Sequence, residues 1–237
     1  MTQVTVRAPT FSRYRAHLFG NKSLSVLRAL EYERLESLGL TGRVLDFGGG
    51  KRANYADRIN SWGDPVQGYA YESANVDPQM EPTHLIDETG IIPVGDNQYD
   101  RVISLNTLEH VYGLAGALSE IRRVLKSGGQ LTVIVPFIFR VHGHPDDYTR
   151  GTPSFWTRVL SDHGFDDIDI EALTWGPFST GYVVSGAAGP IKTLRKELLL
   201  ILDVFYFRLR HGRQMVLRAP QDAPVCSTPF AFLIEAR

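Results

Sequence analysis

The chain has 237 residues, of which 43% are hydrophobic and 22% charged, and its formal net charge is −1. That is enough chain for one α/β domain with a sizeable core, and the balanced charge argues against a nucleic-acid partner, which calls for a basic surface. The single cysteine, Cys226, excludes an intrachain disulfide framework and a cysteine zinc site, and fits a reducing, cytoplasmic compartment.

In chain order, residues 1–40 read as an N-terminal helical segment. Its clearest part is 23–40, where Leu24, Leu27, Leu30, Leu35 and Leu38 recur at helical spacing before Gly39. The start of the chain lacks the apolar run of a signal peptide. RVLDF (43–47) is a buried strand, followed by a glycine loop and a short helix at 53–62. AYESANVD (70–77) and THLID (83–87) are strands ending in an acid, and YDRVISL (99–105) is the fourth strand. LAGALSEIRRVL (114–125) is an amphipathic helix stopped by Lys126, Ser127, Gly128 and Gly129, and QLTVIVPF (130–137) is a β-branched strand. A helix over 152–165 and a strand over 167–175 continue the alternation, and PFAFLIEAR (229–237) closes it. Strands alternating with helices predict a doubly wound, largely parallel sheet in a single domain over 1–237. Residues 176–228 form a helical insertion between the last two strands.

Gly48, Gly50 and Ala53 satisfy the dinucleotide spacing G-x-G-x-x-G/A, but Asp46 stands two residues before the first glycine. A pyrophosphate would be repelled by that carboxylate, whereas an ammonium or sulfonium would be attracted. The pattern therefore favours S-adenosyl-L-methionine over a dinucleotide. Asp77 stands where a ribose-binding acid is expected, and Asp87 is placed to accept from an adenine amino group. The plainer roles are a helix cap for Asp46 and a turn former before Pro78 for Asp77.

VLDFGGG, ANVDP, THLIDE, YDRVISLNTLEHV and EIRRVLKSGGQLTVIVPF, in this order, resemble the class I S-adenosylmethionine (SAM)-dependent methyltransferases, of the small-molecule and glycan type. The resemblance covers about residues 40–175 and the final strand. It implies a Rossmann-like seven-stranded sheet with its last strand antiparallel, and SAM as cofactor. It implies a cofactor site of Asp46, Phe47, Gly48, Gly49, Gly50, Asp77, Asp87, Leu105 and Asn106. Arg52 stands where many members carry a third glycine. His110, in LEHV, reads as structural.

Residues 139–156 leave the carboxyl end of the fifth strand, where ligands bind in open α/β sheets. The segment holds His142, His144, Asp146, Asp147, Tyr148 and Arg150. Transfer of a methyl group to a hydroxyl is helped by a base, and His144 or His142, oriented by Asp146 or Asp147, is the candidate. The same residues suit a metal in principle, but no metal is expected. The bland reading is a polar loop bonding its own backbone.

Residues 191–213 combine the apolar run LLLILDVFYF with six basic residues against two acids, a net charge of +4. The segment is too short and charged to span a membrane. A lid or core helix, a homodimer contact and a peripheral membrane contact are the three readings. The expected function is SAM-dependent methyl transfer to a hydroxyl of a small-molecule or glycan-type substrate. The rivals are an NAD(P)-dependent oxidoreductase or epimerase, and a non-catalytic SAM-binding scaffold.

Overall fold

The computed structural model describes residues 2–21, 24–143, 146–186, 190–224 and 228–237. Among the described residues nine strands form a mixed sheet. They are β1 (Gln3–Arg7), β2 (Gly42–Phe47), β3 (Tyr69–Asn75), β4 (His84–Leu85), β5 (Tyr99–Leu105), β6 (Leu125–Pro136), β7 (Asp169–Leu173), β8 (Val216–Pro220) and β9 (Ala231–Ala236). The described residues thus hold nine strands where a seven-stranded sheet was expected. The two additional ones come from regions read as helical or loop: β1 in the N-terminal segment and β8 in the insertion.

The chain divides into two compact units. The larger comprises Arg34–Val135, Val141–Asp169 and Leu233–Arg237. In it β3, β2, β5 and β6 pair in parallel, with β4 parallel on β3. Val44, Leu45, Val102, Ile103, Leu131 and Val133 are fully buried, which explains why these strands read as near-continuous apolar runs. Each such side chain contributes about 1.5–3 kcal/mol by leaving water. Helix α3 (Leu114–Val124) buries Ala117, Leu118, Ile121 and Val124, one face at helical spacing. It ends where expected, but Lys126–Gly129 does not form a loop. Those residues belong to β6, and the ladder with β5 absorbs an irregularity between Tyr99 and Arg101. Glu72 ties the strands together, accepting from Arg43 (2.8 Å) and Tyr99 Oη (2.8 Å) and facing His84 Nε2 (2.8 Å). Burial raises its pKa, but these partners outweigh burial and hold the carboxyl down at about 2.

The smaller unit comprises Met1–Glu33, Pro136–Arg140 and Ile170–Phe232. Strand β1 runs parallel to β7 and antiparallel to β8. Its helices are α1 (Phe11–Ala16), the start of α2 (Val26–Leu35), α5 (Pro177–Val184) and α6 (Lys192–His211). In the larger unit, α4 (Pro153–Asp162) starts as its sequence demands. Thr152 Oγ1 accepts from Phe155 N–H, and Pro153 takes a first-turn position where no N–H is needed. No described helix is long and apolar enough to cross a membrane.

Candidate active site

The glycine loop leaves β2 at Phe47, whose ring is buried and whose carbonyl accepts from Ser104 Oγ at the end of β5. Three glycines are required there by three different neighbours. A side chain at Gly48, which holds φ +97°, would collide with Thr107; one at Gly49 would meet the Asp46 carboxylate; one at Gly50 would meet the Met80 carbonyl. Asp46 is fully buried. Its Oδ2 accepts from Tyr55 Oη at 2.8 Å and Tyr71 Oη at 2.7 Å. Burial pushes its pKa up to about 6, against the two tyrosine hydrogen bonds that pull it down. Its other oxygen, Oδ1, has no hydrogen-bond partner among the described residues. Asp46 therefore does not cap a helix.

The segment after the glycines is a 3-10 turn over Ala56–Trp62 rather than the short helix expected at 53–62. Ala53 N–H turns back to the Gly50 carbonyl and Ala56 N–H to that of Ala53. No α-helix N-terminus follows this loop, so the usual receptacle of a dinucleotide pyrophosphate is not built.

Asn75, at the end of β3, was not singled out by the sequence. It holds the loop: its Nδ2 donates to the carbonyls of Gly48 (2.6 Å) and Gly49 (3.1 Å). Its Oδ1 accepts from Asp77 N–H at 3.0 Å, which places Asp77 beside the same loop. Asp77 also forms the expected turn, capping the Pro78–Met80 turn through Gln79 N–H at 2.8 Å. That bond uses one carboxylate oxygen, Oδ1. The turn packs back on the glycine loop, since Arg52 N–H donates to the Met80 carbonyl and Arg52 pairs with Glu81 at 2.6 Å. So Arg52, where a third glycine is common, braces the two loops against each other.

Leu105 is buried at the end of β5, and Asn106 follows in the left-handed region at φ +51°, its N–H bonded to Ile134. Asp87 is exposed and folds on itself. It accepts from Thr89 N–H and Oγ1, and these bonds hold its pKa below the usual carboxylate range. Among the described contacts none joins Asp87 to the glycine loop.

The polar loop after β6 is pinned to the end of β5. Tyr148 and Thr149 N–H both donate to the carbonyl of buried Glu109, and His110 Nδ1 faces the Asp146 carbonyl. His142 Nδ1 lies 3.4 Å from Asp147 Oδ2, and its own N–H donates to that oxygen at 3.0 Å. Arg150 grips both oxygens of Asp147. Burial raises the Asp147 pKa, but Arg150 and the His142 N–H outweigh it and keep the carboxyl ionised. The rings of His110 and His142 meet edge to face at 5.0 Å. One potential ligand atom each from Glu109, His110 and His142 lies within 4.8 Å of the others. That grouping differs from the His142, His144 and Asp146 or Asp147 set that the sequence suggested for a metal. His144 lies outside the described residues.

Known proteins resemble the chain in part of its sequence and in fold. A family model described as a methyltransferase domain matches residues 66–133. The chain is 29% identical over 169 residues to a sarcosine/dimethylglycine N-methyltransferase of Halorhodospira halochloris, covering 60% of this chain and 59% of that protein. It is 26% identical over 190 residues to a highly reducing polyketide synthase, pkhB, of Emericella nidulans, covering 76% of this chain but 7% of the synthase. Neither relative is spanned over two thirds of its length. A solved SAM-dependent methyltransferase of Archaeoglobus fulgidus superposes with a TM-score of 0.53 at 16% identity, over 95% of this chain and 99% of that one, a likeness of fold. With the glycine loop over a buried acid, these likenesses support a SAM-dependent methyltransferase of class I.

Proposed function

We propose that the chain transfers a methyl group from SAM to a hydroxyl of a small-molecule or glycan-type acceptor. The observation that carries the cofactor assignment is Asp46 Oδ1, a buried carboxylate oxygen without a described partner beside a loop of three obligatory glycines. A buried acid in that state calls for a positively charged or hydrogen-donating ligand group. SAM, when bound, supplies an activated methyl group on a sulfonium. The residues that would hold it are Asp46, Phe47 and Gly48–Gly50 at the loop, Asp77 for the ribose hydroxyls, Asp87 for the adenine, and Leu105 and Asn106 at the end of β5.

On the acceptor side, His142 is the base. Asp147, itself held by Arg150, faces Nδ1. With a hydrogen on Nδ1 toward Asp147, Nε2 keeps the lone pair, and His142 takes the proton that an acceptor hydroxyl must lose. His144 is the alternative base. A nitrogen acceptor is the second reading, favoured by the N-methyltransferase among the relatives. The NAD(P) reading is disfavoured by Asp46 and by the 3-10 turn after the glycines.

Two measurements test this reading. Titration calorimetry should show S-adenosylhomocysteine binding and NAD not; the reverse overturns the cofactor assignment. With labelled SAM and a panel of hydroxyl and amine acceptors, His142→Ala should lower kcat about 10²–10⁴-fold. S-adenosylhomocysteine affinity should stay unchanged in that variant. Full turnover of His142→Ala and of His144→Ala removes the base assignment, and methylation of amines alone installs the second reading.

A further inference from the structure

Helix α6 is apolar on two faces. Its inward face buries Glu197, Leu200, Asp203, Val204 and Phe207. On the opposite face Leu194, Leu198, Leu202 and Phe205 are each about half exposed, and Leu209 is 88% exposed. Their spacing of four, four, three and four residues confines them to an arc of about 80° at ~100° per residue. A helix that is apolar all round is ordinarily buried all round. Ring contacts widen the patch: Phe11 of α1 meets Phe205 at 5.3 Å, and Phe178 of α5 meets Tyr206 at 5.8 Å.

The charges of the segment are sorted just as strictly. Both acids of α6, Glu197 and Asp203, are turned inward and buried. Lys192, Arg195, Arg208, Arg210 and Arg213 are all exposed. Arg195 and Arg208 flank the stripe on its two sides, with Lys192 and Arg210 further round the helix. The outer face is therefore an apolar strip with basic margins, and α5 beside it carries no charged residue.

We infer that this face lies on an anionic lipid bilayer. The axis of α6, about 30 Å long, runs along the surface, with the leucine and phenylalanine stripe at the acyl boundary and the arginines among the phosphates. The helix lies on the membrane and does not cross it. A second copy of this chain is a poorer occupant, because apposing two such faces sets five cations against five with no exposed acid on the helix to pair them. The inference stands independently of the cofactor and acceptor assignments.

Vesicle co-sedimentation tests it, with phosphatidylcholine alone and with about 30% phosphatidylglycerol, at about 50 and 500 mM salt. The protein should partition onto the anionic vesicles, weakly onto neutral ones, and less at high salt. Arg208→Gln/Arg210→Gln should bind about thirtyfold more weakly, at about fivefold per charge. Leu198→Asp/Leu202→Asp should not bind. Unchanged melting and S-adenosylhomocysteine affinity confirm that each variant is folded; if the aspartates unfold the chain, Leu198→Ser/Leu202→Ser replaces them. No partition of the unaltered protein onto anionic vesicles overturns the inference. So does equal partition onto both vesicle types, or a dimer dissolved by the leucine variant in a protein that ignores vesicles.

Discussion

Replacing Asp46 by Asn tests how the glycine loop works, because the buried carboxyl makes two separable demands. Its pKa is raised from an ordinary 3.8 to about 6, chiefly by burial. A carboxyl that holds its proton more tightly when folded favours the folded state most at low pH. Its contribution falls as pH rises from about 4 to about 6, and above that the full cost of burying the charge applies. A shift of about two units corresponds to about 3 kcal/mol. Urea unfolding of the cofactor-free protein and of Asp46→Asn, from pH 4.5 to 7.5, reads this directly. The stability of the variant relative to the parent should climb by about 2 kcal/mol across that window, whatever constant offset the substitution adds. Cofactor binding should show the opposite sense. A cationic ligand favours the ionised carboxyl, so parent affinity should improve as pH rises through about 6, with proton release on binding. The variant should lose about 1.5–3 kcal/mol of SAM affinity, tenfold or more. Parallel unfolding profiles would refute the account of burial, and an unchanged SAM affinity would refute the account of the cation.

Gly50→Ala should leave the fold intact but push the loop away from the Met80 carbonyl that its side chain would strike. S-adenosylhomocysteine affinity should fall about tenfold or more with a melting loss of a few degrees, read by calorimetry and thermal melting. Asn75→Ala removes both donors to the Gly48 and Gly49 carbonyls. It should cost about 1–3 kcal/mol of stability in urea unfolding and weaken cofactor binding in parallel. Incubation with EDTA should leave turnover unchanged, because the proposed base acts through an imidazole lone pair and uses no metal. A loss restored by added zinc or manganese would instead make Glu109, His110 and His142 a metal site.

The parts of the fold that were legible are those whose signal is local. β2, β5 and the core of β6 are short apolar runs, α3 carries a stripe at helical spacing, and Thr152–Pro153 is a cap and a first-turn proline in adjacent positions. What escaped is set by partners distant in sequence. β1 and β8 are strands because Gln3–Arg7 and Val216–Pro220 pair with each other, some 210 residues apart, and nothing within either segment announces it. Gly128 and Gly129 carry the composition of a helix stop, yet they fall within β6, at the irregularity of its ladder with β5. At the site, Asp46 and the glycines were readable as a motif, but Tyr55, Tyr71 and Asn75 were not. Their roles consist of reaching Asp46 or the loop carbonyls from the neighbouring β3 or, for Tyr55, from the turn after the glycines, and a tyrosine or asparagine in such a place is common without such a role.

Asp203 shows the same limit inside a single helix, and it yields a sharp prediction. In sequence it merely interrupts LLLILDVFYF. In the structure it is fully buried, and its two oxygens accept from the N–H groups of Phe178 and Ser179, each at 2.9 Å. These are among the first N–H groups of α5, which has no side-chain cap of its own because Gly176 precedes Pro177. A side chain at Gly176 would collide with Asp203, so the glycine makes room for this cap donated by α6. Asp203→Ala should leave both donors buried and unbonded, at about 1–3 kcal/mol each. Asp203→Asn keeps one accepting oxygen and should recover about half of the loss. Urea unfolding of the two variants measures this difference. Amide hydrogen exchange should locate it as early opening of Pro177–Val184, with S-adenosylhomocysteine affinity unaltered. Equal stability of the alanine variant and the parent would mean that α5 is held by its packing alone, and that the acid within α6 has some other use.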